Sequence, residues 1–191
     1  MKRLIGLTGG IATGKTTVAK YLAETYKLPI LDADIYARDA VAIGSPILNA
    51  IAQRYGDDIL LSNGELNRQK LGEIVFKNQI ERLWIESLIH PYVREKFNQE
   101  IANTPAETLV LVIPLLFEAG ITDVVTEIWV VSCTESQQLE RLMQRNNLTL
   151  EQAQARINSQ MPLAEKITRA DVVLDNSQTL ERLLAQIDIA V

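Results

Sequence analysis

Cysteine is almost absent from this sequence of 191 residues, since Cys133 is the only one. A single cysteine excludes an internal disulfide bond, and this fits a protein from a reducing compartment. We interpret Cys133 itself as a small buried residue near the end of a strand.

Long apolar runs are also absent. The N-terminal stretch MKRLIGLTGG has too short an apolar region for a signal peptide, ends in glycines and shows no cleavage-site pattern. No stretch approaches the roughly 18 consecutive apolar residues that a membrane-spanning helix needs. These absences predict a cytoplasmic protein without a membrane partner.

An excess of basic residues is missing as well. The chain has 19 lysines and arginines against 24 aspartates and glutamates, which gives a net charge of −5. Such a chain is a poor candidate for binding nucleic acid over a broad face, although it is compatible with a local basic site for phosphates. The length and the 47% content of hydrophobic residues predict one globular domain, with room for an inserted subdomain.

Five short apolar segments rich in β-branched residues predict buried strands, at residues 3–7, 28–31, 109–113, 127–132 and 171–174. Helical patterns alternate with them. One covers 15–26, one covers 177–187 with Asn176 or Ser177 as its N-cap, and two begin at the capping boxes of Thr134 and Thr149. This alternation predicts an α/β fold with a parallel sheet.

The segment between the second and third predicted strands shows only helical patterns, at residues 35–43, 46–54, 67–76, 79–89 and 92–102. Proline is disfavoured inside a helix and favoured at its first position. One helix should therefore end near His90 and another should start at Pro91. A helical stretch this long is more than a crossover between parallel strands needs, and we predict an insertion that holds a second substrate.

A phosphate-binding loop is the strongest motif in the chain. Residues 9–16, GGIATGKT, satisfy G-x-x-x-x-G-K-[ST] between a predicted strand and a predicted helix. Its glycines permit positive φ angles, so that backbone N–H groups turn inward and form a nest for the α- and β-phosphates of a nucleoside triphosphate. Lys15 reaches between the β- and γ-phosphates, and the Thr16 hydroxyl is a ligand for Mg²⁺. The predicted nucleotide-binding set in this loop is Gly9, Ala12, Thr13, Gly14, Lys15, Thr16 and Thr17.

Two carboxylates follow the second predicted strand, in the segment Asp32-Ala33-Asp34. Ligands bind at the carboxyl ends of strands in open α/β sheets. One carboxylate would accept a proton from an attacking hydroxyl, and one would bind Mg²⁺ through water. The alternative is that Asp32 or Asp34 only caps the following helix. The third strand lacks the usual terminal aspartate of a Walker B motif, and this favours the functional interpretation.

Two arginines, Arg141 and Arg145, lie four residues apart on one helical face. Arginine stabilises the charge of a transferring phosphoryl group, and a lid would follow the fourth strand of a P-loop protein. The alternative is a solvated arginine paired with an acid. From composition alone, His90 is better explained as a helix-end residue than as a catalyst. The acidic residues near Glu118 and Asp123 are interpreted as a loop rim.

With these residues identified, the chain resembles the dephospho-CoA kinase family. The likeness runs almost end to end, through GLTGGIATGKTTV, DADIYAR, NGELNRQKL followed by VF, IHPYV, PLLFE, ERLMQRN, RINSQMP and ADVVLDNSQT. It implies ATP-dependent phosphorylation of the ribose 3′-hydroxyl of dephospho-CoA, the last step of coenzyme A biosynthesis. It also implies ATP and Mg²⁺ at the site, a small-molecule substrate, no nucleic-acid partner, and a monomer or small homo-oligomer.

The resemblance further implies a single P-loop kinase domain over 1–191, a three-layer α/β sandwich with a five-stranded parallel sheet. The expected parts are a core at 1–34, 105–133 and 167–191, a helical substrate-binding insertion at about 35–104, and a lid at about 134–166. By position, Asp32 is the implied base, Lys15 and Arg141 are the phosphate clamps, and Asn176 lies near the adenine of ATP. The implied acceptor-side residues are Asp34, Arg68 and His90.

The phosphate loop departs mildly from the family's pattern. It has Ala12-Thr13 and Thr16 where the family often has Gly-Ser and Ser. Because Thr16 keeps a hydroxyl, we expect Mg²⁺ binding to survive, and we expect Ala12 to stiffen the loop.

Four other classes share the phosphate loop. A GTPase would need a DxxG and an NKxD motif, and neither occurs in the sequence. An ATPase that moves a partner would need an acidic residue at the end of the third strand and often has a basic surface, and neither is visible in the sequence. A non-catalytic nucleotide-binding protein would not need Lys15, Thr16, Asp32 and Arg141 together. A nucleoside or shikimate-type kinase is the nearest alternative, and it differs in the acceptor domain.

Overall fold

The computed structural model describes residues 2–191, and its centre is a sheet of five parallel strands. The spatial order is β2-β3-β1-β4-β5, and every neighbouring pair is parallel. The predicted fold class is confirmed, and the strand ends lie within two residues of their predicted positions. The strands are β1 (Arg3–Gly9), β2 (Ile30–Asp32), β3 (Thr108–Val112), β4 (Glu127–Ser132) and β5 (Val172–Asp175).

The chain divides into two compact units at Asp32 and Pro105. The sheet unit comprises the described residues up to Asp32 and those from Pro105 to Val191, and the helical unit comprises Ala33–Thr104. In the sheet unit, the consecutive residues Leu109, Val110 and Leu111 have no exposed surface. Alternate side chains of a strand point to opposite faces, so both faces of β3 are covered, as parallel sheets require.

Five helices of the sheet unit connect or cover these strands. They are α1 (Lys15–Thr25), α6 (Glu135–Asn146), α7 (Leu150–Asn158), α8 (Leu163–Thr168) and α9 (Leu180–Ala190). The two predicted capping boxes are confirmed, because Thr134 and Thr149 cap α6 and α7 and exchange bonds with Gln137 and Gln152.

The predicted cap of α9 is wrong. Thr179 is the N-cap, and its hydroxyl accepts the Arg182 N–H at 3.4 Å. Neither predicted residue is available, because the Asn176 amide donates to the Thr13 carbonyl and the Ser177 hydroxyl donates to Asp175. Both predicted cap residues are engaged by other contacts, and the helix begins after Thr179.

Four helices and a short 3-10 turn at Asp57–Ile59 make up the helical unit. The helices are α2 (Ala33–Asp39), α3 (Pro46–Tyr55), α4 (Arg68–Lys77) and α5 (Gln79–Asn103). They enclose an apolar core of their own, which includes Leu48, Ile51, Ile59, Leu71 and Ile85.

The predicted break between His90 and Pro91 is wrong, because α5 is one helix of 25 residues with Pro91 inside it. Proline removes one backbone hydrogen bond from a helix interior. Ile85 lies before this position and Val93 and Phe97 lie after it, and all three are buried. Packing on both sides of Pro91 stabilises a continuous helix despite the missing bond.

A polar cluster in the helical unit joins α3 to α5. The Arg54 guanidinium donates to the Glu81 carboxylate at 2.7 and 2.9 Å, and the Tyr55 hydroxyl donates to the same carboxylate. The hydrogen bond from Arg54, followed by that from Tyr55, lowers the pKa of Glu81 to about 2. Burial and the bond to Glu81 raise the pKa of Tyr55 to about 12.

This cluster predicts a pH-dependent contribution to stability. The pKa of Glu81 is lower in the folded chain than its ordinary value of 4.5, so its stabilisation is present above pH 4.5 and is lost as pH falls towards 2. We expect Glu81→Gln to lower the free energy of unfolding at pH 7. The difference in this free energy between the variant and the wild type should become smaller below pH 4.5. Urea unfolding at several pH values measures this. The control is Glu86→Gln, in an exposed pair with Arg82 on the same helix, and a gap for Glu81→Gln that did not change with pH would contradict the prediction.

Candidate active site

The phosphate loop connects β1 to α1 and has an unusual backbone. Gly9 has a φ of 146° and Gly14 a φ of 110°, which residues with side chains rarely adopt. A Cβ atom at Gly9 would collide with the backbone of Val131, and one at Gly14 with the side chain of Asn176. Both glycines are therefore required by conformation and by space.

Ala12 also lies in the left-handed region, with a φ of 61°. This conformation costs an L-residue about 1–2 kcal/mol relative to glycine. The loop therefore holds some backbone strain where the resemblance led us to expect glycine, and contacts from the rest of the sheet unit must maintain it.

Lys15 lies over the loop that precedes it. Its ammonium donates to the Gly10 carbonyl at 2.7 Å and to the Gly9 carbonyl at 3.2 Å. The buried Thr13 hydroxyl also donates to the Gly10 carbonyl, at 2.9 Å. Thr16 and Thr17 follow in the first turn of α1, with exposed side chains.

Arg141 adjoins the loop through Asn176. Its Nη2 donates to the Asn176 carbonyl at 3.0 Å, and the Asn176 amide donates to the Thr13 carbonyl at 2.8 Å. The Nη1 of Arg141 is buried and has no hydrogen-bond partner among the described residues. A buried N–H without an acceptor is unfavourable, so the guanidinium has a donor available for an anionic ligand. Arg145, in contrast, is exposed and donates to Asn146.

Asp32 is the last residue of β2, at the edge of the sheet where the phosphate loop begins. The strand register places Asp32 opposite Val112, and Val112 opposite Leu7 of β1. Asp32 is therefore two strands from the strand that leads into the loop, on the carboxyl edge. Asp34 lies in the first turn of α2 with an exposed side chain.

The other residues predicted for the acceptor belong to the helical unit. Arg68 is the first residue of α4, and its Nη2 donates to the Arg38 carbonyl at 3.5 Å. Both arginines line a cavity of about 490 Å³. His90 lies in the interior of α5 and not at a helix end, so that part of the sequence interpretation is wrong.

A cavity of about 620 Å³ lies in the sheet unit beside the phosphate loop. Its lining includes Gly10, Cys133, Gln138, Gln160, Met161 and Ile167. Burial raises the pKa of the Cys133 thiol, whereas the nearby charges of Arg141 and Lys15 oppose this shift. Cys133 directly follows β4, as expected, but it is only half-buried.

Sequence reasoning missed an ion pair in this region. The ammonium of Lys166 has no exposed surface and lies 2.8 Å from the Glu118 carboxylate. Glu118 itself lies in a turn and has exposed surface, which agrees with its interpretation as part of a loop rim. No local signal could have revealed the pair, because its members are far apart in the sequence and a lysine in an amphipathic helix usually faces solvent.

A profile of the dephospho-CoA kinase family matches residues 3–182. The chain belongs to the dephospho-CoA kinase family. A curated dephospho-CoA kinase from Trichormus variabilis is 70% identical over 99% of this chain and 96% of its own length. The match covers the strands, the phosphate loop and the helical unit alike, so family membership applies to the whole chain.

Solved structures support the same assignment. A crystal structure of a Thermus thermophilus protein is 32% identical, with a TM-score of 0.85 over 99% of this chain and 96% of that one. The dephospho-CoA kinase from Campylobacter jejuni is 28% identical, with a TM-score of 0.73 over 100% of this chain and 96% of that one.

Membership in the dephospho-CoA kinase family makes the protein a P-loop kinase. This membership excludes the four alternative classes considered from the sequence: a GTPase, an ATPase that moves a partner, a non-catalytic nucleotide-binding protein, and a nucleoside or shikimate-type kinase. Among residues 2–191, no helix is both long enough and apolar enough to cross a bilayer.

Proposed function

We propose that the protein transfers the γ-phosphoryl group of ATP to the ribose 3′-hydroxyl of dephospho-CoA, forming CoA and ADP in the final step of coenzyme A biosynthesis. The observation that carries this proposal is the match to the dephospho-CoA kinase family over nearly the whole chain. We further propose a cytoplasmic protein that acts as a monomer or small homo-oligomer and does not bind nucleic acid.

The phosphate loop and Arg141 bind the triphosphate in this proposal. The loop's N–H groups and the positive end of α1 hold the phosphates. The Lys15 ammonium exchanges the carbonyls of Gly9 and Gly10 for phosphate oxygens, and the buried Nη1 of Arg141 gains an anionic acceptor. We keep the proposal that Asn176 adjoins the adenine, in addition to its observed bond to Thr13.

The transfer itself needs a base and an in-line geometry. The 3′-hydroxyl oxygen attacks the γ-phosphorus, a new P–O bond forms, and the bond to the β–γ bridging oxygen breaks to release ADP. Asp32 accepts the proton of the hydroxyl. Residues of about 134–166 would act as a lid that excludes water, and the helical unit would hold the acceptor with Asp34, Arg68 and His90.

The side chains present fit a magnesium ion bound mainly through phosphate. Among residues 2–191, no three histidine, cysteine or acidic side chains converge into a metal site. Mg²⁺ commonly needs only one or two protein ligands when phosphates supply the rest. The exposed Thr16 hydroxyl would bind it directly. When bound, Mg²⁺ neutralises charge on the β- and γ-phosphates.

A coupled assay of ADP release tests the proposed function. Purified protein with Mg·ATP should release ADP only when dephospho-CoA is present, and the product should have the mass of CoA. Adenosine and shikimate serve as control acceptors. Release with one of these controls or with water, but not with dephospho-CoA, would overturn the assignment of the acceptor and leave the phosphate loop as a nucleotide site.

A further inference from the structure

The tip of the phosphate loop is held by two glutamine side chains from outside the loop. The Ile11 N–H donates to Gln160 Oε1 at 2.9 Å, and the Ile11 carbonyl accepts from Gln138 Nε2 at 2.8 Å. Gln138 is only 4% exposed. Both backbone polar groups of Ile11 are therefore satisfied, and the next residue is the strained Ala12.

Gln160 is itself held in place by an ion pair whose lysine is buried. The N–H of the adjacent residue, Met161, donates to Glu118 Oε1 at 3.0 Å, and the same oxygen lies 2.8 Å from Lys166 Nζ. Lys166 also donates to the Pro114 carbonyl at 3.2 Å. The chain is thus fixed immediately after Gln160 by a carboxylate whose own position is set by a buried ammonium.

This network also reaches the strand that leads into the loop. The Pro114 carbonyl accepts a second bond, from the Thr8 hydroxyl of β1, at 3.2 Å. A buried ammonium is strongly unfavourable without its partner, so the Glu118–Lys166 pair constrains where residues 160–161 lie. The same set of bonds therefore adjoins both the start of the loop, at Thr8, and its tip, at Ile11.

We propose that Gln138 and Gln160 are positioning residues that hold the phosphate loop open for ATP, and that the Glu118–Lys166 pair acts on the loop through Gln160. The proposal rests on the proposed function only in taking ATP as the nucleotide. A binding site that is already in its bound conformation avoids the cost of ordering it. Here the strained turn at Ala12 is held by the two hydrogen bonds to the backbone of Ile11, one at its N–H and one at its carbonyl.

Replacement of Gln160 by methionine removes the acceptor while retaining the length of the side chain. We expect Gln160→Met to weaken the binding of ADP, measured by titration calorimetry, by about three- to tenfold, the net effect of one hydrogen bond. KM for ATP should rise by a similar factor, while kcat and KM for dephospho-CoA should change little. The matched control is Gln154→Met on α7, whose amide donates to Asn158 on the same helix.

The role of the ion pair is tested by a double-mutant cycle. Lys166→Met should also weaken ADP binding, and the double variant with Gln160→Met should bind ADP no more weakly than Gln160→Met alone. Where Lys166→Met does not fold, Glu118→Ala serves in the same cycle, because it removes the oxygen that accepts the Met161 N–H. Additive losses would overturn the part of the proposal that routes the pair through Gln160.

A purely structural role gives a different result. If Gln160→Met lowered the melting temperature but left ADP affinity and KM for ATP at wild-type values, the positioning role would be overturned. ADP binding needs no acceptor substrate, so this outcome is independent of the ADP-release assay. A protein that fails to phosphorylate dephospho-CoA but binds ADP in a Gln160-dependent way would refute the proposed function and not this inference.

Discussion

Asp32→Asn is expected to lower kcat by about 10²–10⁴-fold, the usual contribution of a general base. Asparagine has nearly the same shape but cannot take the proton from the 3′-hydroxyl. Asp32 ends β2 on the carboxyl edge of the sheet, two strands from the strand that leads into the phosphate loop. Steady-state kinetics with both substrates, together with ADP binding, separates a loss of the chemical step from a loss of binding.

The matched control for this substitution is Asp39→Asn. Asp39 is an exposed aspartate at the end of α2, and its replacement should leave turnover near the wild-type value. Near wild-type turnover of Asp32→Asn, with both substrates still bound, would show that another group takes the proton.

Lys15→Ala is expected to lower kcat/KM for ATP by at least about 10²–10³-fold, as seen when a preorganised charged or hydrogen-bonding group is removed from a transition state. The ammonium lies 2.7 Å from the Gly10 carbonyl, directly at the phosphate loop. Its removal should weaken the binding of the triphosphate and also the stabilisation of charge during transfer. Titration calorimetry with ADP and ATP, beside steady-state rates, measures both effects.

Lys20→Ala is the control for the loss of a positive charge from the same helix. Lys20 is exposed on α1 and pairs with Glu24 at 3.8 Å, so its removal should change neither ADP binding nor kcat. Unaltered kinetics of Lys15→Ala would refute the assignment of residues 9–16 as a triphosphate site.

The elements that could be predicted were those with a strong local cause. The phosphate loop could be predicted because glycine, lysine and threonine are needed at set spacings. The structure places Gly9 and Gly14 at positive φ. The capping boxes of Thr134 and Thr149 were readable because their partners lie three residues away. The apolar strands were readable because a sheet covered on both faces has few polar positions.

The errors occurred where a distant contact outweighed a local preference. Proline usually starts a helix, yet Pro91 lies inside α5 because buried residues pack on both sides of it. Asn176 is a good N-cap residue, yet its amide is bound to Thr13, 163 positions earlier in the chain. Local propensity is a weak prior, and tertiary contacts override it at such positions.

The fold class, the nucleotide loop and the family follow from the amino-acid sequence, because each depends on residues that are close in the chain or on a pattern that runs through all of it. The polar side chains that support the loop became identifiable only from the three-dimensional arrangement. Gln138, Gln160, Glu118 and Lys166 reach it, or each other, from separate elements. Hydrogen bonds and ion pairs act over a few ångströms in space, and distance along the chain does not reveal which residues will meet.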